Sequence, residues 1–112
     1  MLLLNSTKGF ILVLVQYRLG FFGFMNSWKD NHVGETSGNY GLLDQQLAIK
    51  FAKENAIAMG GDPDRITIVG ESAGGWSVGM QLLSDTAEMI ASAVSQSGVA
   101  MFAMSNQEWE YI

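Results

Sequence analysis

No cysteine occurs anywhere in the 112 residues, which excludes a disulfide scaffold, a thiol nucleophile and a thiolate metal site and leaves the redox compartment open. Charge is sparse as well, at 15% of residues against 48% hydrophobic, with a formal net charge of −5. No block of like charges and no basic stripe is present, so neither a nucleic-acid partner nor an anionic membrane surface is expected. Histidine occurs once, at His32, and proline once, at Pro63. Long hydrophobic runs are missing too. Met1-Leu2-Leu3-Leu4 and the run from Phe10 to Val15 are separated by Asn5-Ser6-Thr7-Lys8-Gly9, too short and too broken for a membrane span. The same N-terminus lacks the cationic start and the small-residue cleavage site of a signal peptide. Asn5-Ser6-Thr7 fits the acceptor pattern for N-glycosylation, which would imply secretion if used, although such triplets also arise by accident.

What is there points to a globular chain, largely buried, of one domain at most. Phe10-Ile11-Leu12-Val13-Leu14-Val15 is a continuous apolar run without alternation, the pattern of a parallel-sheet strand covered on both faces. Residues 18 to 40 form a long connection whose Phe21, Phe22, Phe24 and Trp28 are expected to anchor it to the core rather than to line a substrate wall. From Leu42 to about Met59 the spacing turns helical, with Leu43, Leu47 and Phe51 on one stripe and Lys50, Lys53 and Glu54 mostly off it. Asn39 suits the N-cap, and Gly60 the left-handed position beyond the C-terminus. The turn signal Gly60-Gly61-Asp62-Pro63-Asp64 introduces Arg65-Ile66-Thr67-Ile68-Val69, a short β-branched strand. From Ala73 to Leu83 no residue is ionisable, which reads as a helix buried at the centre of a larger sheet. A last short strand is expected near Ala93-Val94-Ser95. The order β-loop-α-β-α-β belongs to the α/β class, central parallel strands joined by right-handed crossover helices. There is no internal repeat, low-complexity stretch or domain linker.

Gly70-Glu71-Ser72-Ala73-Gly74 is the segment that reads as chemistry, because it sits where the β-branched run stops and the helical pattern begins. A serine hydroxyl is a poor nucleophile until the backbone presents it in the open, near a base and near amide donors that can hold an oxyanion. A nucleophile elbow does this by forcing Ser72 into strained dihedrals, with Gly70 and Gly74 as the small residues two before and two after it, where strand and helix backbones almost touch. The amide of Ala73, at the start of the helix, would be one oxyanion donor. The pentapeptide alone is weak, since this chain has 13 glycines. An ordinary glycine-rich βα turn with a surface serine is the alternative, and the strand before and the chargeless helix after favour the elbow.

Gln16-Tyr17-Arg18-Leu19-Gly20, Gly38-Asn39-Tyr40-Gly41-Leu42-Leu43-Asp44-Gln45, Gly60-Gly61-Asp62-Pro63-Asp64-Arg65, Gly70-Glu71-Ser72-Ala73-Gly74-Gly75 and Ser95-Gln96-Ser97-Gly98 follow one another along the chain. In order and spacing these five motifs resemble the type B carboxylesterase family, which includes the cholinesterases. The resemblance runs over about residues 10 to 100. It implies an α/β-hydrolase fold, a serine esterase mechanism, small-molecule carboxylic esters as substrates and no cofactor. Carried over residue by residue, Ser72 matches the nucleophile, Ala73 the residue whose amide serves the oxyanion hole, and Glu71 the glutamate beside that serine. In cholinesterases this glutamate lies near the catalytic histidine, so a buried negative charge here would tune the imidazolium. A carboxylate hydrogen-bonded within the turn is the equal alternative. Gly75 suits close helix packing. Ser97 is given either a supporting hydrogen bond behind the site or a strand-end cap.

The chain also departs from the family. The family's His-Gly-Gly-Gly type loop, which supplies further oxyanion amides, would lie before residue 1. In α/β-hydrolases the order along the chain is nucleophile, acid, base, yet no histidine follows Ser72. His32 stands on the wrong side, beside Asp30 and Asn31, and reads as a solvated loop residue. Asp85, Glu88, Glu108 and Glu110 follow Ser72 with no base to orient. Residues 1–112 therefore read as a partial α/β-hydrolase domain that carries the nucleophile, lacks the N-terminal oxyanion loop and the C-terminal acid and base, and is not expected to turn over alone. A non-catalytic cholinesterase-like adhesion protein and a truncated, inactive gene product are the alternatives. Compartment is read from the family only, as secreted or endoplasmic-reticulum lumen, and no pattern encodes an oligomeric state.

Overall fold

The structure is a computed structural model and describes residues 4–5, 9–25 and 38–98. The chain divides into two compact units, Met1–Ile66 and Thr67–Ile112.

In the first unit, β1 (Leu4–Asn5) and β2 (Ile11–Leu12) pair antiparallel, Leu4 opposite Leu12 and Asn5 opposite Ile11. Two helices follow, the short α1 (Gly20–Phe24) and the longer α2 (Tyr40–Asn55). They meet where α2 has no side chain: a Cβ on Gly41 would lie 2.5 Å from the Phe24 ring and 2.6 Å from the Arg18 carbonyl oxygen. Arg18 fixes this junction. Its guanidinium donates to both carboxylate oxygens of Asp44 at 2.7 Å and its backbone amide to one of them at 3.0 Å. Its guanidinium carbon also lies 5.3 Å from the centre of the Tyr40 ring. The side-chain hydrogen bond from Arg18 is the main cause holding the Asp44 carboxyl down to about 2, and the same bond raises Arg18.

Both ends of α2 agree in position with the sequence, one of them in mechanism. The chain winds on to Met59, where Gly60, at φ 82°, closes a Schellman motif. The Gly61 N–H donates to Ala56 O at 2.8 Å and the Gly60 N–H to Ile57 O at 2.9 Å. Asn39 stands at the N-cap with φ 57° and no side-chain capping bond, because that bond requires a β-region backbone. Lys53 then ties α2 to the turn that follows, donating to Pro63 O at 2.9 Å and to Asp64 Oδ1 at 3.0 Å.

Three expectations are corrected in this unit. Among the described residues Phe10–Val15 is not an interior parallel strand: Ile11 and Leu12 alone form a ladder, antiparallel to β1, and Phe10, Leu14 and Val15 are exposed. A ladder extends only as far as its partner backbone, and β1 offers two residues. The buried side of α2 is Gly41, Gln45 and Ile49, whereas Leu47 is 67% and Phe51 46% exposed. Apolar spacing records which residues favour burial, but the missing side chain at Gly41 decides which face α1 and Arg18 can approach. Phe21 and Phe22, finally, are 80% and 84% exposed, while Phe24 lies on Gly41. A short helix can turn only one side toward its neighbour.

In the second unit, β3 (Thr67–Glu71), α3 (Ala73–Leu82), a 3-10 turn (Ala87–Met89) and β4 (Ser92–Gln96) follow in order. β3 and β4 are parallel neighbours, in register from Thr67 opposite Ser92 to Glu71 opposite Gln96. Burial alternates along β3, with Ile68 and Gly70 half-buried and Thr67, Val69 and Glu71 exposed, so α3 covers the Ile68 and Gly70 face. The helix contributes Gly75, Val78 and Gln81, buried at three-residue spacing. The helix expected to be buried at the centre of a larger sheet is, among the described residues, covered along this one stripe. Two strands offer a surface for one stripe, and Leu82 on another side is 44% exposed. A polar clasp ends α3: the fully buried Thr86 donates to Gln81 Oε1 at 3.2 Å, and its hydroxyl lies 2.8 Å from Ser84 Oγ, which bonds Gln81 O at 2.8 Å. A buried hydroxyl needs such partners. No helix among the described residues is long and apolar enough to cross a membrane.

Candidate active site

Ser72 is the whole connection between β3 and α3. Its φ of 52° and ψ of −118° lie outside the regions that L-residues populate. Two backbone bonds hold it there: the Ser72 N–H donates to Gln96 O at 2.8 Å, and Ser72 O accepts the Trp76 N–H at 3.0 Å, the first bond of α3. A serine at the N-cap ordinarily turns its oxygen onto the amides of the first turn. Ser72 makes no such bond, since its backbone is not in the β region that capping requires. Its side chain is exposed, and the amides of Ala73, Gly74 and Gly75 precede the first helical donor that finds an acceptor within the helix. Among the described residues the Ser72 hydroxyl thus makes no capping bond at the positive end of the helix, the kind of position that can favour a developing negative charge.

Backbone closeness accounts for glycines at this turn, though not for all those expected. A Cβ on Gly70 would stand 2.1 Å from Gly74 O, and one on Gly75 2.8 Å from Gln96 O. On Gly98 it would meet both Ser72 O and Trp76 N at 2.7 Å. Gly74, expected to be small of necessity, has nothing within 4 Å of its Cβ position. Strand and helix meet on the Cβ side of Gly70 and against the carbonyl of Gly74, while the Cβ direction of Gly74 itself points into open space.

Glu71 is exposed, on the same face of β3 as Thr67 and Val69. Strand alternation turns this carboxylate to the face opposite α3. Ser97 lies one step beyond the Glu71 and Gln96 pair and has φ 53°. A hydrogen bond behind the site comes from Ser95, whose Oγ donates to Gly75 O at 3.0 Å and is also hydrogen-bonded to Gly98 O. Sequence reasoning misses Ser95 and the contact role of Gly98. Alternation offers a signal for the first, since Ser95 is two residues from Ala93 and so shares the face under α3. Asp85 and Glu88 are exposed in the segment after α3. Trp28, Asp30, Asn31, His32, Glu108 and Glu110 lie outside the described residues. Among the described residues no group of histidine and acidic side chains could hold a metal ion.

Comparison with known proteins places this geometry in a family. Residues 2–111 match the model of the carboxylesterase family. Acetylcholinesterase of Leptinotarsa decemlineata is 43% identical over 113 residues, covering 98% of this chain and 17% of that protein. Juvenile hormone esterase of Tribolium castaneum is 46% identical over 95 residues, covering 84% of this chain and 16% of that protein. The solved structure of a thermophilic pNB esterase aligns with a TM-score of 0.67 at 45% identity, over 74% of this chain and 17% of that one. The chain thus spans about a sixth of the length of these relatives, and the parallel β3-α3-β4 unit fits the α/β-hydrolase fold they share. With nearly its whole length inside the family model and close to half of its residues identical to those of individual members, the chain belongs to the carboxylesterase family.

Proposed function

We propose that the protein carrying this sequence hydrolyses carboxylic esters, that residues 1–112 are part of a single hydrolase domain, and that Ser72 is its nucleophile. The observation that carries the reading is the backbone of Ser72, at φ 52° and ψ −118° with no capping bond, at the one-residue junction of β3 and α3. Ser72 Oγ attacks the ester carbonyl carbon as its proton passes to a general base that lies outside the described residues. The carbonyl oxygen becomes an oxyanion facing the amide of Ala73, at the start of α3. Collapse of this intermediate breaks the bond to the alcohol, which leaves with the proton. Water then attacks the acyl-enzyme in the same way and releases the acid. Glu71, the residue before Ser72 in the chain, favours positive charge on the base. Esterase relatives and the family model support the substrate class.

The test uses the protein expressed from its full reading frame. A fluorophosphonate, which reacts with activated serines, is expected to label Ser72 on peptide mapping. Ser72→Ala is expected to abolish the label and to lower kcat/KM for a short-chain nitrophenyl ester by at least about 10³-fold. A label on another serine, or a Ser72→Ala protein with parental turnover, would sink the proposal.

A further inference from the structure

We infer that Ser95 is a positioning residue for the elbow: its hydroxyl clamps the first turn of α3 to the exit of β4 and thereby aims the amides that follow Ser72. This rests on the reading of Ser72 as nucleophile. Ser95 Oγ bonds Gly75 O at 3.0 Å and also reaches Gly98 O. A hydroxyl has one proton, so that proton is shared between two carbonyls, one in the helix and one past the strand. Gly75 is the third residue of α3, in the same turn as the amides of Ala73 and Gly74.

The exit of β4 is packed against the base of the elbow. Gln96 O accepts the Ser72 amide at 2.8 Å. Ser97 then turns the chain at φ 53°. Gly98 comes to lie against the first hydrogen bond of α3, so close that a Cβ would stand 2.7 Å from both Ser72 O and Trp76 N. The Ser95 hydroxyl is the side-chain bond that locks these two backbones in register. Its effect on chemistry follows from the tolerance of an oxyanion site, whose donors must lie about 2.7–3.1 Å from an oxygen that carries charge only in the transition state. Loosening the turn then weakens transition-state binding and leaves ground-state binding nearly intact.

Ser92 supplies a control within the same strand. Its hydroxyl pairs with Thr67 Oγ1 at 2.7 Å, about 10 Å along the strand from Ser95. In the protein expressed from its full reading frame, Ser95→Ala is expected to lower kcat by about 10- to 100-fold with KM within about twofold. Affinity for a trifluoromethyl ketone, which adds to the serine as a tetrahedral oxyanion, should fall by the same factor. Ser95→Thr, which keeps the hydroxyl, should restore kcat to within about threefold of the parent, and Ser92→Ala should leave kcat unchanged. If Ser95→Ala does not fold, Ser95→Cys, similar in size and a weak donor, is read in its place. Parental kcat and analogue affinity without the hydroxyl would overturn the inference, as would a rise in KM alone or an equal loss in Ser92→Ala. Ser72→Ala, run alongside, separates the two failures: activity retained there overturns the nucleophile reading, whereas activity lost there with Ser95→Ala unaffected overturns only the positioning role.

Discussion

At Ser72 the backbone holds a conformation that costs on the order of 1–3 kcal/mol, and it persists because its surroundings leave no other course. The Gln96 carbonyl takes its amide and the Trp76 amide takes its carbonyl, while Gly70 and Gly98 let two backbones approach where a methyl group would intrude. The glycines around the serine are therefore not equivalent. Gly70→Ala would push a methyl to 2.1 Å from Gly74 O, so strand and helix must separate, with an expected loss of about 3 kcal/mol. Gly74→Ala enters open space within α3, where alanine restricts the unfolded chain and favours the helix, for an expected gain of about 0.5–1 kcal/mol. Stability rather than turnover is the readout, since both positions border Ser72. Urea midpoints that move in opposite directions would bear this out, and equal midpoints would show that the approach at Gly70 is not tight.

Among the elements of the first unit, the segment before α1 is joined to α2 through a charge pair, Arg18 with Asp44, whose strength depends on pH. The folded-state value of Asp44, about 2, lies below the ordinary carboxylate range because Arg18 bonds the ionised form. A lowered value means that the pair's stabilisation is fully present above about pH 4 and fades as pH falls toward 2. Arg18 keeps its charge throughout. Asp44→Asn is expected to be less stable than the parent at neutral pH, to have a flatter acid limb, and to converge with the parent at the acid end. Amide exchange of α2 followed across that range checks it, and parallel acid limbs would sink it. High salt should shrink the difference, since both groups are partly exposed.

The same elements show where sequence is a sufficient guide. The end of α2 is legible because Gly60 is suited to a left-handed closing position, and the elbow because a β-branched strand, one serine and a chargeless helix are each local signals. The buried face of α2 is not legible from the stripe of Leu43, Leu47 and Phe51, since the gap at Gly41 decides the approach. For Ser95, alternation gives the face but not the partner. Its role depends on standing opposite Gly70 in the β3–β4 register, a relation between residues far apart in the chain.

On the scale of the whole chain, apolar surface among the described residues exceeds what they bury. Among the described residues Ile49, Ala56 and Val78 are the buried apolar ones, while Ile57 and Leu83 are each 77% exposed, alongside Phe21, Phe22 and Leu47. Soluble monomers rarely show contiguous apolar patches beyond a few hundred Å², and among the described residues the two-stranded parallel sheet leaves an unpaired edge on each side. Polypeptide 1–112 expressed by itself is therefore expected to associate and to bind a hydrophobic dye. Its chemistry should be as poor as its solubility. No histidine follows Ser72, and a serine esterase site without a triad member keeps only about 10³–10⁴-fold catalysis over water, which itself depends on a complete oxyanion hole. Gel filtration, dye fluorescence and hydrolysis of a nitrophenyl ester, each with Ser72→Ala beside the parent, make the test. A monodisperse, dye-negative monomer would contradict the surface argument, and turnover abolished by Ser72→Ala would show that these residues contain a working base.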